Sequence, residues 1–151
     1  MKQIRLVTGV PGAGKTTLMR QLTAEQSFVG LSVDKAYVHF IRDYCQPIAF
    51  PALRYYIAHH YDVILTDRLR SKAYLGRDFF AEWVSHLLTR IVGFSSLHPK
   101  IVVEGYSLKH VAEHDVRMQA GASVATVRVQ GGLYFVGDRQ VTVEQIAALG
   151  E

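Results

Sequence analysis

Near its N-terminus the chain reads Gly9-Val10-Pro11-Gly12-Ala13-Gly14-Lys15-Thr16. Before it, Ile4, Leu6 and Val7 form an apolar run of strand length. After it, Leu18, Met19 and Leu22 recur at helical spacing. The order is therefore strand, glycine-rich loop, helix. Glycines let the backbone curl until successive N–H groups point into one concavity. The helix that starts there adds its unpaired amides and the positive end of its dipole. Such a curl selects an anion.

The stretch fits G-x-x-x-x-G-K-[ST], the P-loop signature, in the context that the signature requires. It predicts binding of a nucleoside triphosphate, ATP, by Gly9, Pro11, Gly12, Ala13, Gly14, Lys15, Thr16 and Thr17. Lys15 is expected on the β- and γ-phosphates, and the Thr16 hydroxyl on Mg²⁺.

The bulk numbers narrow the class. With 151 residues, the chain is expected to form one domain, a nucleotide-binding core over 1–130 and a β-rich tail with a short helix over 131–151. A hydrophobic share of 49% and a charged share of 20% are ordinary for a globular protein. Cys45 is the one cysteine, which excludes an intrachain disulfide and suits a reducing, cytoplasmic setting. It reads as a packed core residue, with no activating base near it in sequence. No apolar run reaches the roughly 18–20 residues of a membrane span, and the N-terminus runs straight into the first strand without the shape of a signal peptide. A net charge of +4 favours anionic partners. ATP and a phosphorylated substrate satisfy it. Nucleic acid stays open as a partner, although the basic residues are scattered.

Strand-like and helix-like pieces alternate, which predicts a parallel sheet covered by helices. The expected elements are a strand at 3–8, a helix at 15–25, a strand at 28–33 ending on Asp34, and mostly helix over 35–61 with breaks at Pro47 and Pro51. Ligands in open α/β sheets bind beyond the carboxyl ends of strands, so Asp34 is placed on the loop's rim, as a base or as a helix N-cap. Arg42 and Arg54 lie in the 35–61 stretch among five tyrosines, where an acceptor-binding insertion would fall. Val63-Ile64-Leu65-Thr66 reads as a strand ending in Asp67-Arg68. A helix from Asp78 would bury Phe80, Val84, Leu87, Leu88 and Ile91, with Phe79 and Trp83 beside them, and stop at Gly93.

Ile101-Val102-Val103 is a buried strand that closes on Glu104, the pattern of an acid that holds Mg²⁺ through water or orients an attacking hydroxyl. Ser107 is expected to cap a helix through about Gln119. That helix would carry His110-Val111-Ala112-Glu113-His114, a match to the H-x-x-E-H of zinc peptidases, for which two exposed histidines are the ordinary explanation. The tail predicts strands at 124–129, 133–136 and 139–141 with glycine turns between them. Thr142 with Gln145 makes a capping box for a last short helix.

These residues together resemble the small P-loop kinases, the nucleoside and nucleotide kinases and their relatives. Gly9 to Thr17 carries the closest match. Asp34 looks like the acid that accepts the acceptor hydroxyl's proton in nucleoside and antibiotic kinases. Asp67-Arg68 with Ser71, Ala73-Tyr74 and Gly76 is similar to a thymidylate-kinase stretch. Val102-Val103-Glu104-Gly105-Tyr106 resembles the strand end of adenylate-kinase-like proteins. The resemblance covers about residues 1–130. It implies an α/β fold, a P-loop NTPase three-layer sandwich with a mostly parallel sheet, here followed by a short C-terminal β-meander. It implies an ATP- and Mg²⁺-dependent kinase acting on a hydroxyl or phosphate of a small, nucleoside- or nucleotide-like molecule. The catalytic set would be Lys15, Asp34, Glu104 and Arg68, and the metal set Thr16 with Glu104 or Asp67. The paired lid arginines of monophosphate kinases have no counterpart, since residues 130–141 hold Arg139 alone. Arg68, Arg70, Arg77 and Arg117 are the candidates to replace them. Two other functions fit the same motif: a kinase acting on a DNA or RNA hydroxyl, and a nucleotide-sensing module without transfer.

Overall fold

The structure, a computed structural model, describes residues 2–10, 12–33 and 76–149. It is a mixed α/β arrangement on a six-stranded sheet. In chain order come β1 (Gln3–Thr8), α1 (Lys15–Glu25), β2 (Val29–Ser32), α2 (Gly76–Leu97), β3 (Lys100–Glu104), a 3-10 turn (Tyr106–His110), α3 (Glu113–Ala120), β4 (Ser123–Gln130), β5 (Leu133–Val136), β6 (Arg139–Val141) and α4 (Val143–Ala148). The strands lie in the order β2-β3-β1-β4-β5-β6. The first four are parallel, and β5 and β6 add antiparallel as a meander. The carboxyl ends of β1 and β3 therefore point the same way, with Val7 level with Glu104.

Strand alternation sends neighbouring side chains to opposite faces. Ile4 and Leu6 join Ile101, Val103 and Val124 against α2 and α3, through Trp83, Leu87, Ile91 and Val116. Val7, Val102 and Val129 face the other way, against Leu18 and Leu22 of α1 and Ile146 of α4. Helices thus cover both faces of β1. Each of these large side chains contributes roughly 1.5–3 kcal/mol by leaving water.

The tail follows its local signals closely. Thr142 Oγ1 accepts from the Gln145 amide at 3.2 Å, and Gln145 Oε1 accepts from the Thr142 amide at 2.9 Å, the reciprocal capping box.

Three expectations need correction. Helix α2 runs past Gly93 to Leu97. Gly93 is not in the left-handed conformation that ends helices, and Phe94 and Ser95 continue the inward stripe. The stop comes at Pro99, which disfavours helical geometry in the residue before it. The stripe is also rotated: Trp83 is fully buried with Leu87 and Ile91, and Val84 is half-buried at its edge. Finally, no single helix covers 107–119. A 3-10 turn gives way to extended backbone at Val111 and Ala112, and α3 starts at Glu113. His110 and His114 sit on separate elements, so the one-face premise of H-x-x-E-H fails. Among the described residues, no three His, Cys, Asp or Glu side chains group as a metal site, and no helix is long and apolar enough to cross a membrane.

Candidate functional site

The loop after β1 wraps over the carboxyl end of that strand. Gly12 and Gly14 take positive φ of 81° and 108°, a region where a Cβ crowds the backbone. Gly14 is the N-cap of α1. It brings no side chain to cap the helix, and no acid lies in the first turn. The first-turn amides of Lys15, Thr16 and Thr17 are therefore left facing whatever the loop holds.

Two neighbouring strands fix the loop from either side. On the β4 side, a Cβ on Gly9 would stand 2.5 Å from the Val129 carbonyl oxygen. The Gly132 amide donates to the Ala13 carbonyl at 3.0 Å. On the β3 side, the Gly105 amide donates to the Val7 carbonyl at 3.1 Å. A Cβ on Gly105 would lie 2.5 Å from Val33 Cβ. Glycine there lets the ends of β2 and β3 close together behind Glu104.

Lys15 is 7% exposed. Its ammonium donates to the Gly9 carbonyl at 2.6 Å, and among the described residues no carboxylate pairs with it. A buried cation held only by a neutral carbonyl is costly until an anion joins it. Next to it, the Thr16 hydroxyl donates to Glu104 Oε1 at 3.5 Å. Glu104 is 5% exposed. A hydroxyl and a carboxylate are hard oxygen donors, the set that suits Mg²⁺. The residues present fit a triphosphate with its metal: amides and an ammonium for the anion, two oxygens for the cation.

The structure thus brings Gly9, Gly12, Ala13, Gly14, Lys15, Thr16, Thr17 and Glu104 around one loop. Pro11, Asp34, Asp67, Arg68, Arg70 and Cys45 lie outside the described residues, as do the helix expected over 35–61 and the strand expected over 63–66. Val33, next to Asp34, is fully buried in the core. Of the arginine candidates, Arg117 is bound to Glu113 at 2.7 Å on the outside of α3; Arg139, the lone arginine of 130–141, is exposed on β6.

Sequence reasoning missed two arginines that the structure puts to use. Arg5 is fully buried in the middle of β1; a charge inside an otherwise apolar strand was the available signal. Arg128 stands at the end of β4 with its guanidinium carbon 4.9 Å from the centre of the Phe135 ring. Only the hairpin pairing of β4 with β5 reveals that neighbour.

No protein-family model matches the chain, and no curated protein does. Among solved structures, it is similar to a crystal structure from Chloroflexus aurantiacus whose designation as a kinase is provisional, at 17% identity and a TM-score of 0.44. The match covers 85% of this chain and 59% of that one, so this chain spans well under two thirds of that protein's length.

Proposed function

We propose that this chain is a P-loop phosphotransferase, a three-layer α/β kinase that uses ATP and Mg²⁺ to phosphorylate a small nucleoside- or nucleotide-like acceptor. The observation that carries the reading is the buried Lys15 ammonium at the mouth of an amide-lined loop, beside the Thr16–Glu104 pair. The loop amides and Lys15 hold the phosphate chain. Thr16 and Glu104 would hold the metal, which would supply positive charge to the transferring phosphoryl group.

In transfer, an acceptor hydroxyl oxygen attacks the γ-phosphorus. A new P–O bond forms, the bond to the β,γ-bridging oxygen breaks, and ADP leaves. The acceptor's proton goes to a carboxylate, the role assigned to Asp34. An arginine, Arg68 in the first instance, offsets charge on the phosphoryl oxygens. Geometry of this kind acts by positioning and electrostatics.

A transfer screen with ATP and Mg²⁺ against nucleosides, nucleotides, sugars and oligonucleotides tests the proposal. Expected is phosphate on one small acceptor, lost in Lys15→Ala, with a barrier rise of about 3–4 kcal/mol. ATP binding with no transfer to any acceptor would favour a nucleotide sensor. Transfer at the wild-type rate by Lys15→Ala would overturn the assignment.

A further inference from the structure

The two flanks of the loop are chemically different. The β3 flank carries Glu104 and Thr16. Among the described residues the β4 flank carries no acid: the Val129 carbonyl backs Gly9, and the Gly131-Gly132 turn is bonded to Ala13. On the proposed reading, the phosphoryl group to be transferred lies at the metal-binding flank. The remainder of the nucleotide then leaves the loop on the other side, over β4 and the β4–β5 turn.

That side is furnished for it. Arg128 is level with Thr8, one residue before the loop, and is paired across the hairpin with Phe135. Gln130 is paired with Leu133. Paired residues share a face, so Arg128, Gln130, Leu133 and Phe135 form one open face of the meander. The opposite face is packed against α1 and α4 through Tyr134, Val136 and Val141. Arg128 and Gln130 are exposed, and Leu133 is 47% exposed. The Arg128 guanidinium stacks on Phe135 and donates to Gln130 Oε1 at 3.4 Å. Among the described residues no carboxylate pairs with it. A planar cation seated on a ring, with its other face open and a side-chain amide beside it, is a surface on which a nucleobase stacks.

We infer that Arg128, supported by Phe135 and flanked by Gln130, is the platform for the base of the nucleotide whose phosphates the loop holds. The inference rests on the proposed function, and the meander is then a base-recognition device.

The test compares ATP with inorganic tripolyphosphate, each with Mg²⁺, by calorimetry on wild type, Arg128→Ala, Arg128→Lys and Phe135→Leu. Melting temperatures verify that each variant is folded. Wild type is expected to prefer ATP by about tenfold or more, the scale of one base stacked on a planar side chain. In Arg128→Ala and Arg128→Lys the preference should fall below about threefold with tripolyphosphate affinity unchanged, because the plane and not the charge is at issue. Phe135→Leu should fall between. Equal wild-type affinity for the two ligands would overturn the platform and leave the phosphate site standing. So would an undiminished ATP preference in Arg128→Ala. Loss of tripolyphosphate binding in parallel with ATP would make Arg128 a phosphate contact instead. Failure of both ligands to bind wild type would overturn the phosphate site, and the platform with it.

Discussion

Thr16 and Glu104, separated by 88 positions in sequence, meet with 3.5 Å between hydroxyl and carboxylate oxygens. The meeting is a product of sheet order. Because β3 lies beside β1 and runs parallel to it, the last residue of β3 arrives where α1 begins. No local propensity specifies that encounter, yet it sets a hydroxyl and a carboxylate beside the amides of the loop.

Glu104→Gln keeps the shape and an oxygen for Thr16 but removes the charge. If this carboxylate holds the metal, the transfer rate with Mg²⁺ should fall about 10²- to 10³-fold, the usual scale for one lost electrostatic contact. Nucleotide affinity measured without Mg²⁺ should change little. Steady-state kinetics and titrations with and without the metal check both halves. A variant as fast as wild type would remove Glu104 from the metal site.

Gly9 faces the Val129 carbonyl so closely that a Cβ would stand 2.5 Å from it. Gly9→Ala must push β1 and β4 apart or shift the loop. The expected cost is about 1–3 kcal/mol, as for overpacked sites. Gly93→Ala is the control, on an exposed helical position with nothing within 4 Å of the added atom; it should be neutral or stabilise by up to about 1 kcal/mol. Denaturant midpoints compare the two. Equal midpoints would show that the loop's approach to β4 is slack.

Arg5 ties the last helix to the first strand. Its Nε donates to the Ile146 carbonyl at 2.8 Å, and an Nη donates to the Leu149 carbonyl. These are C-terminal carbonyls of α4, where a cation is favoured. Arg5→Met keeps much of the volume, strands the Leu149 carbonyl and leaves the Ile146 carbonyl only the Leu149 amide at 3.3 Å, at about 1.5–3 kcal/mol. Hydrogen exchange should quicken in α4 well before α3. Unchanged protection of α4 would mean that apolar packing through Val143, Ile146 and Ala147 holds the helix down.

Elements defined by local chemistry were legible in sequence. β1, α1, β5, β6 and the Thr142–Gln145 box fall at their expected positions because alternation, glycine turns and caps act over a few residues. What escaped was non-local. The buried stripe of α2 centres on Trp83 because the sheet beneath chooses which face to cover. The helix expected from Ser107 breaks because Leu108 and Val111 are drawn into the core and the chain must extend between them and α3. The acids in the first turn of α3, Glu113 and Asp115, marked the true start. At the site, the order of strand, glycine-rich turn and helix was readable and Glu104 was one of two candidate acids, but the contact of Gly132 with Ala13 and the stacking of Arg128 on Phe135 depend on hairpin pairing.

Lys15 gives a sharper test of the anion site than activity does. Its ammonium is buried and, among the described residues, has one neutral hydrogen-bond partner, Gly9. Such a group destabilises the ligand-free protein, because its lost hydration is repaid only when an anion arrives. Lys15→Met keeps the aliphatic stem and removes the charge. The ligand-free variant should therefore melt at or above the wild-type temperature. In wild type, ATP with Mg²⁺ at 100 times its dissociation constant should stabilise by about 2.7 kcal/mol, a rise of roughly 5–10 °C for a chain of this size. That rise should vanish in Lys15→Met. A ligand-free variant that melts several degrees lower, while still responding to ATP, would show that the lysine braces the loop and does not bind the phosphates.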